Sequence, residues 1–213
     1  MLGIIRVLTT KDESILNEHG KLMDQFLGVK TVTNCIQDQP NGIYDDYSEN
    51  VAIPKITNLA EEMIFSYDLE AISISCAADP ALDETRKLLN IPVLGAGICG
   101  AHAAGMVGNK VGIIGITEEA PERMVAELGN LYYSHVYSPY IRKTTDLFTD
   151  GAKDELLRLG QQLVTQGANV ILFGCTGFST IHLKDYLKQY INVPIIDLVE
   201  SQAIAYKLID RGG

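Results

Sequence analysis

Two stretches of the sequence, AISISCAADPALDETRKLLNIPVLG at 71–95 and NVILFGCTGFSTIHLKDYLKQYINVPIID at 169–197, follow the same pattern. Each starts with a β-rich apolar run, ends that run at a cysteine, passes through a turn of small residues into a helix, and closes with a proline between aliphatic residues. The two cysteines, Cys76 and Cys175, are 99 residues apart. The motifs GIIRV at 3 and GIIGI at 112 have a similar spacing. The chain therefore contains an internal repeat.

Strand and helix patterns alternate through both halves of the chain. Apolar, β-branched runs predict strands at 2–8, 29–36, 70–75, 91–95, 110–116, 131–137, 169–174 and 193–197. Helices are predicted at 12–27, about 47–67, after Asp79-Pro80, from about 98, at 119–128, about 146–166 and about 179–190, and after 197. We expect Asp79 to cap the third helix, with Pro80 at its first position. The alternation predicts an α/β fold with two pseudo-symmetric lobes, each a four-stranded, mainly parallel sheet flanked by helices.

The composition argues against nucleic acids and membranes as partners. Asp and Glu number 27 against 17 Lys and Arg, a net charge of −10, which argues against a nucleic-acid partner. No apolar run approaches the ~18 residues of a spanning helix, and the N-terminus is charged too early for a signal peptide. We therefore expect a cytoplasmic protein with no membrane contact, in which all four cysteines are reduced.

The two repeated cysteines indicate the chemistry. Ligands of open α/β sheets bind beyond the carboxyl ends of the strands, and Cys76 and Cys175 each stand at such an end, so we expect an active site in the cleft between the lobes. Free backbone N–H groups and a helix N-terminus are expected to lower each thiol pKa below the usual value of about 8.5. Two opposed thiols suit inversion of a carbon next to a carbonyl, because one removes a proton and the other returns one to the opposite face. Backbone groups at Ala77, Ala78, Thr176 and Gly177 are the expected anchors for the carbonyl or carboxylate of a small-molecule substrate.

Two motifs carry a family resemblance that covers nearly the whole chain. They are Cys76-Ala77-Ala78-Asp79-Pro80-Ala81-Leu82 and Gly174-Cys175-Thr176-Gly177-Phe178. On these the chain resembles the cofactor-independent aspartate/glutamate/hydantoin racemase superfamily, nearest its hydantoin and allantoin racemase branch. The resemblance implies catalytic thiols at Cys76 and Cys175 and no cofactor. It also implies a final helix that crosses back, so that residues 1–96 with 198–213 form one lobe and 97–197 the other.

The sequence departs from its relatives near the expected substrate. Gly177 stands where glutamate racemases usually carry His, and the loop at 39–44 matches only loosely the substrate loop of the hydantoin branch. A hydantoin-like ring is the leading substrate class. An aspartate or glutamate racemase, a decarboxylase or cis–trans isomerase of the same superfamily, and a non-enzymatic binding module stay open as alternatives.

Several other residues are weaker candidates for the site. Gly42, Ile43, Gly97 and Thr117 are expected cleft contacts, although Thr117 could instead cap the helix at 119–128. Cys35 and Cys99 are interpreted as packing residues. A metal site built from Cys76, Cys99, His102 and Cys175 is disfavoured, because the paired spacings of zinc ligands are missing. Gly95-Ala96-Gly97-Ile98-Cys99-Gly100 has the spacing of a dinucleotide fingerprint, but we interpret it as close strand–helix packing. We expect a homo-oligomer.

Overall fold

The computed structural model describes residues 1–210 and contains two four-stranded sheets with helices packed against them. The strands are β1 (Leu2–Arg6), β2 (Thr31–Cys35), β3 (Ala71–Ser75), β4 (Val93–Gly95), β5 (Val111–Gly115), β6 (Tyr132–Tyr137), β7 (Val170–Phe173) and β8 (Ile195–Ile196). The helices are α1 (Glu13–Leu27), α2 (Asp46–Ser66), α3 (Leu82–Leu88), α4 (Ala96–Val107), α5 (Glu122–Leu128), α6 (Ala152–Gln166), α7 (Gly177–Thr180), α8 (Leu183–Leu187) and α9 (Leu198–Lys207). Short 3₁₀ turns lie at Gly129–Leu131 and Thr144–Phe148.

The two sheets have the same topology. Their strand orders are β2-β1-β3-β4 and β6-β5-β7-β8, and every pairing is parallel. The four inner strands β1, β3, β5 and β7 are buried along their whole length, as expected for sheets covered on both faces. The predicted fold class and the internal repeat are therefore confirmed. Within residues 1–210, every helix is too short or too polar to cross a membrane.

The last helix, α9, lies between elements from both halves of the sequence. Its first turn is capped by Asp197, which accepts hydrogen bonds from the N–H groups of Val199 and Glu200. It packs against α1 and α4, and Gln202 donates to Ile74 O of β3 at 3.1 Å. The division into residues 1–96 with 198–213 and residues 97–197 stays a prediction, and its last three residues, 211–213, lie outside the described part of the chain.

Two predicted helices are shorter than the sequence pattern indicated. The helix predicted at 146–166 begins only at Ala152, because Gly151 has φ +81° and separates it from the preceding 3₁₀ turn. The helix predicted at 179–190 is divided into α7 and α8 at His182, which has φ +53°. A single left-handed residue interrupts the i to i−4 hydrogen bonds in each case, and apolar periodicity does not reveal such a residue.

Candidate active site

The two repeated cysteines line one cavity. Cys76 follows the carboxyl end of β3 and Cys175 that of β7, the corresponding strand of the other sheet. Both thiols open into a cavity of about 1060 Å³ at this edge of the two sheets. The loops also touch each other, because the Thr176 hydroxyl donates to Ser75 O at 3.1 Å. The fold therefore brings one cysteine from each repeat to the same space.

The loop after Cys76 is held by the start of α4. The Asp79 carboxylate accepts hydrogen bonds from the N–H groups of Gly97 and Ile98, both at 2.7 Å, and so caps α4. The prediction that Asp79 caps the next helix, α3, is wrong. Ala81 occupies that position with φ +58°, and no side chain caps the helix. Asp79 itself has φ +54°, which turns its carboxylate toward a helix that is distant in the sequence.

The loop after Cys175 packs against the segment before α6. A Cβ atom placed on Gly177 would lie 3.3 Å from Cys175 Sγ and 2.6 Å from Leu147 Cδ1, so this position accepts no larger side chain without movement. The Cys175 thiolate is stabilised by the N–H groups of Gly177 and Phe178 and by the Thr144 hydroxyl. Thr144 was missed in the sequence, because it lies in a loop remote from both cysteine motifs.

Burial dominates the ionisation of both thiols. Cys76 is 9% exposed and Cys175 7%, and burial raises both pKa values, that of Cys175 to about 11. The expectation of lowered values is wrong for this state of the protein. One reason is that α3 begins at Leu82, six residues after Cys76, and α7 has only four residues, so neither cysteine lies at the N-terminus of a long helix. The two sites also differ: Glu49, Asp79 and Cys175 disfavour charge at Cys76, whereas Arg6 favours it at Cys175.

The other predicted site residues fall into two groups. Those that line the cavity are Ile43, Ala77, Ala78, Thr117 and Thr176. Gly42, Gly97 and Gly177 are not among the residues that line it, but a Cβ atom added to each would meet Thr144, Ala77 and Cys175, respectively.

Thr117 lines the cavity without capping a helix. Its hydroxyl donates to Glu119 O at 2.8 Å, and the helix α5 is preceded by Pro121 with no side-chain cap. The suggested capping role for Thr117 is therefore wrong. Its contact with a substrate stays a prediction.

The cavity wall is strongly acidic. The sequence motifs around the two cysteines did not predict this, because most of the acidic residues lie outside those motifs. The acidic residues of the wall are Asp45, Asp46, Glu49, Asp79, Asp83, Glu84, Glu118, Glu119, Glu122 and Glu127. Its basic residues are Arg123 and Arg142, and both are already paired: Arg123 with Asp83, and Arg142 with Glu118 at 2.9 Å. Burial, Asp46 and Glu122 raise the pKa of Glu49, which reaches into the cavity from α2.

The other two cysteines and the four histidines do not themselves line the cavity. The Cys35 thiol points to Thr10 O at 3.7 Å, and Cys99 is half-buried on α4. His102 is exposed and lies 3.3 Å from Glu127, and His182 lies 3.1 Å from Glu18. Within the described residues, no three His, Cys, Asp or Glu side chains converge so that they could hold a metal ion.

The fold and site together define a class: a doubled α/β protein with a paired-thiol cavity between two equivalent sheets. The family model described as Asp/Glu/Hydantoin racemase matches residues 27–205. The chain belongs to this family.

Individual relatives agree with the assignment. The chain is 27% identical over 183 residues to the hydantoin racemase of Pseudomonas sp. (strain NS671), covering 81% of this chain and 71% of that one. Allantoin racemase from Klebsiella pneumoniae superposes with a TM-score of 0.81 at 19% identity, over 97% of this chain and 86% of that one. The glutamate racemase isoform RacE1 from Bacillus anthracis gives a TM-score of 0.68 at 19% identity, over 98% and 80%. The resemblance inferred from the two cysteine motifs is confirmed at the level of the superfamily and its hydantoin/allantoin branch.

Proposed function

We propose that this protein is a cofactor-independent racemase that inverts a carbon next to a carbonyl, with Cys76 and Cys175 as its two acid/base groups. One observation carries the proposal: equivalent strands of two sheets, β3 and β7, deliver one cysteine each to the same cavity. A duplication that served packing alone would not need both thiols to open into that space.

The proposed reaction is a pair of proton transfers. The thiolate of one cysteine takes the proton from the reacting carbon, and the electron pair of the broken C–H bond delocalises onto the neighbouring carbonyl oxygen. The thiol of the other cysteine then donates its proton to the opposite face of that carbon, and the carbonyl re-forms. The two residues exchange roles for the other enantiomer. Backbone groups of Ala77 and Thr176, on the cavity wall, are the proposed partners of the carbonyl oxygen.

We propose a neutral or singly charged hydantoin-like ring as the substrate. The acidic wall disfavours a dicarboxylate, and the two arginines that could bind a second carboxylate are paired with Asp83 and Glu118. Burying that carboxylate without a partner is costly. The relatives named hydantoin and allantoin racemase support the same class. The glutamate racemase neighbour keeps an amino-acid racemase as the second candidate. A decarboxylase or isomerase of the superfamily is disfavoured, because two opposed thiols serve inversion better than a one-thiol reaction.

The substrate test uses proton exchange. A panel of 5-substituted hydantoins, allantoin and L-amino acids is incubated with the enzyme in D₂O, and the α-proton signal is followed by NMR. We expect signal loss with loss of optical rotation for at least one cyclic substrate, unchanged after dialysis against a chelator. Faster turnover of aspartate or glutamate than of any hydantoin would contradict the substrate class.

The mechanistic test separates the two thiols. Cys76→Ser and Cys175→Ser each remove one acid/base group, since a serine hydroxyl does not ionise near neutral pH without an activating partner. Each variant should lose racemisation but still exchange the α-proton of one enantiomer, with opposite preference in the two variants. Cys35→Ser and Cys99→Ser are matched controls and should keep near wild-type rates. Wild-type racemisation in either of the first two variants would refute the paired-thiol mechanism.

A further inference from the structure

A fully buried histidine, His19 of α1, joins the two cysteine segments, residues 75–76 and 175–180, and does not itself line the cavity. Its Nδ1 lies 2.8 Å from Ser75 Oγ, and its Nε2 lies 3.0 Å from Thr180 Oγ1. Ser75 ends β3 and directly precedes Cys76. Thr180 ends α7, the short helix that follows Cys175. One imidazole ring therefore bridges the two repeats.

The bond between His19 and Ser75 has a defined direction. The side-chain amide of Gln202 on α9 donates to Ile74 O at 3.1 Å, which orients the amide oxygen toward Ser75. The Ser75 hydroxyl donates its single hydrogen to that oxygen at 3.3 Å, so it accepts a hydrogen from His19. These partners assign the ring proton to Nδ1. The residue before Cys76 is thus held by α1 and α9 together.

The bond between His19 and Thr180 is fixed by a second donor. Arg6 Nη2, which can only donate, points to Thr180 Oγ1 at 3.3 Å. The Thr180 hydroxyl accepts that bond and gives its own hydrogen to the unprotonated Nε2 of His19. Burial and Arg6 hold the pKa of His19 well below its usual value, against the opposing effect of the Thr176 carbonyl, so the ring is neutral. A neutral ring, with one donor and one acceptor, matches both hydroxyls.

A second contact joins the same two segments. The Thr176 hydroxyl donates to Ser75 O at 3.1 Å, and both residues are buried. Ser75 is therefore bound to Thr176 through its carbonyl and to His19 through its hydroxyl. A buried and satisfied hydrogen-bond network of this kind fixes the geometry of the groups that it joins. The hydrogen bonds within each sheet, in contrast, fix only the cysteine that follows that sheet's own strand.

We propose that His19 is a positioning residue: by bonding Ser75 and Thr180 at the same time, it holds the two cysteine segments at a fixed separation across the cavity. The inference rests on the proposed racemase for its catalytic meaning. Inversion requires both thiols to face one carbon from opposite sides, and such a reaction is sensitive to displacements of about 1 Å. A residue that only filled the core would not need both ring nitrogens bonded, and an apolar side chain would avoid the cost of burying polar atoms.

The first experiment needs no substrate. His19→Leu keeps a buried side chain but removes both bonds of the ring, while the two hydroxyls keep their other partners. Alkylation by iodoacetamide is followed at constant pH, and mass spectrometry reads each cysteine separately. The rates at Cys76 and Cys175 should each rise about fivefold, equivalent to about 1 kcal/mol for one lost hydrogen bond per segment. Cys35 and Cys99 should keep their rates.

Met23→Ala is the matched control for lost stability. Met23 lies one turn further along α1, is fully buried, and packs in a cluster that contains neither cysteine of the cavity. Its truncation leaves a cavity and destabilises the protein without removing a hydrogen bond of the network. We expect Met23→Ala to leave the alkylation rates of Cys76 and Cys175 near wild type. An equal rise in Met23→Ala and His19→Leu, or no rise in a folded His19→Leu protein, would overturn the inference.

If His19→Leu does not fold, two variants that each remove one partner of the ring decide. Ser75→Ala should speed the alkylation of Cys76, and Thr180→Val should speed that of Cys175. Both rises support the inference, and an unchanged rate in either variant overturns it.

The second experiment measures the catalytic consequence with the cyclic substrate that the wild type turns over fastest. In D₂O, the ratio of racemisation to α-proton exchange should fall at least about tenfold in His19→Leu, because exchange needs one thiol but inversion needs both in place. A loss of folded protein lowers both rates equally, so Met23→Ala should keep the wild-type ratio. An unchanged ratio in His19→Leu would overturn the catalytic role. If the wild type racemises no compound, the proposed function fails, and the alkylation rates still decide whether His19 positions the two segments.

Discussion

Replacing Gly97 by alanine tests how closely the Cys76 loop must pack on α4. A Cβ atom at position 97 would lie 2.2 Å from Ala77 O, a backbone atom, and 2.9 Å from Asp79 Oδ2. Ordinary carbon–oxygen contacts are about 3.3 Å, so the Ala77 carbonyl must move by about 1 Å. Ala77 directly follows Cys76, and the Asp79 cap on α4 is strained by the same substitution. A misplacement of about 1 Å in a catalytic group costs about 100-fold in rate.

The stability effect follows from the same contacts. Overpacking of this size costs about 1–3 kcal/mol, which in a chain of this length lowers Tm by roughly 2–12 °C. Gly105→Ala is the matched control, because Gly105 lies in the same helix and its Cβ would meet only the flexible end of Leu131 at 3.0 Å. We expect Gly105→Ala to keep the wild-type rate and to match or exceed the wild-type Tm.

Three measurements decide this prediction: thermal melting by circular dichroism, the alkylation rate of Cys76, and kcat/KM for racemisation. Compared with Gly105→Ala, the Gly97→Ala protein should have a lower Tm and a lower kcat/KM. Its Cys76 alkylation rate should also differ, because the displaced loop changes the exposure of the thiol. If Gly97→Ala matched Gly105→Ala in Tm, alkylation rate and kcat/KM, close packing at Gly97 would not be needed to position the Cys76 loop, and the reasoning would be refuted.

Two pH-dependent predictions follow from burial. Burial raises the pKa of Cys175 to about 11, so the fraction of Cys175 in the thiolate form grows tenfold per pH unit below that value. A plot of log kcat/KM against pH should therefore rise with a slope near +1 from pH 7 to 10. A plateau below pH 8 would contradict this prediction. Burial raises the pKa of Asp79 from 3.8 to about 7, so the stability that this group contributes is present below about pH 4 and lost as pH rises through about 7. The Asn side chain in Asp79→Asn cannot titrate, so the amount by which wild type exceeds this variant in unfolding free energy should decrease by about 2–3 kcal/mol between pH 5 and 8. Denaturant titrations of both proteins at both pH values measure this difference. A difference that stays constant would refute the prediction.

The fold was largely predictable from local patterns. Buried strands such as β3 and β7 are continuous apolar runs, and the helices between them make a parallel arrangement the expected one. The positions of the two cysteines at strand ends were visible for the same reason. The errors arose at single residues with positive φ, Gly151, His182 and Asp79, where backbone conformation redirects the chain without changing the apolar pattern.

The site was predictable only in part. The repeat identified Cys76 and Cys175, because duplication places equivalent residues at equivalent strand ends. Thr144, Glu49 and Arg6 belong to no recognisable motif, and their relation to the cysteines depends on a turn, a helix and a strand that are far from the cysteines in the sequence. The direction of the thiol pKa shifts was also mispredicted, since local N–H donors can be anticipated from a turn but the loss of solvent around it cannot.

The sequence by itself thus determined the α/β class, the duplication and the cysteine pair, because strand periodicity and a repeated motif are local properties of the chain. The tertiary structure alone decided which groups surround those thiols. Asp79 caps α4 rather than its own neighbouring helix, the absence of a side chain at Gly97 leaves room for the Cys76 loop, and the Thr144 hydroxyl reaches the Cys175 thiol. Each of these contacts joins residues that are close only after the helices pack, and the strength of each charge depends on how much water that packing removes.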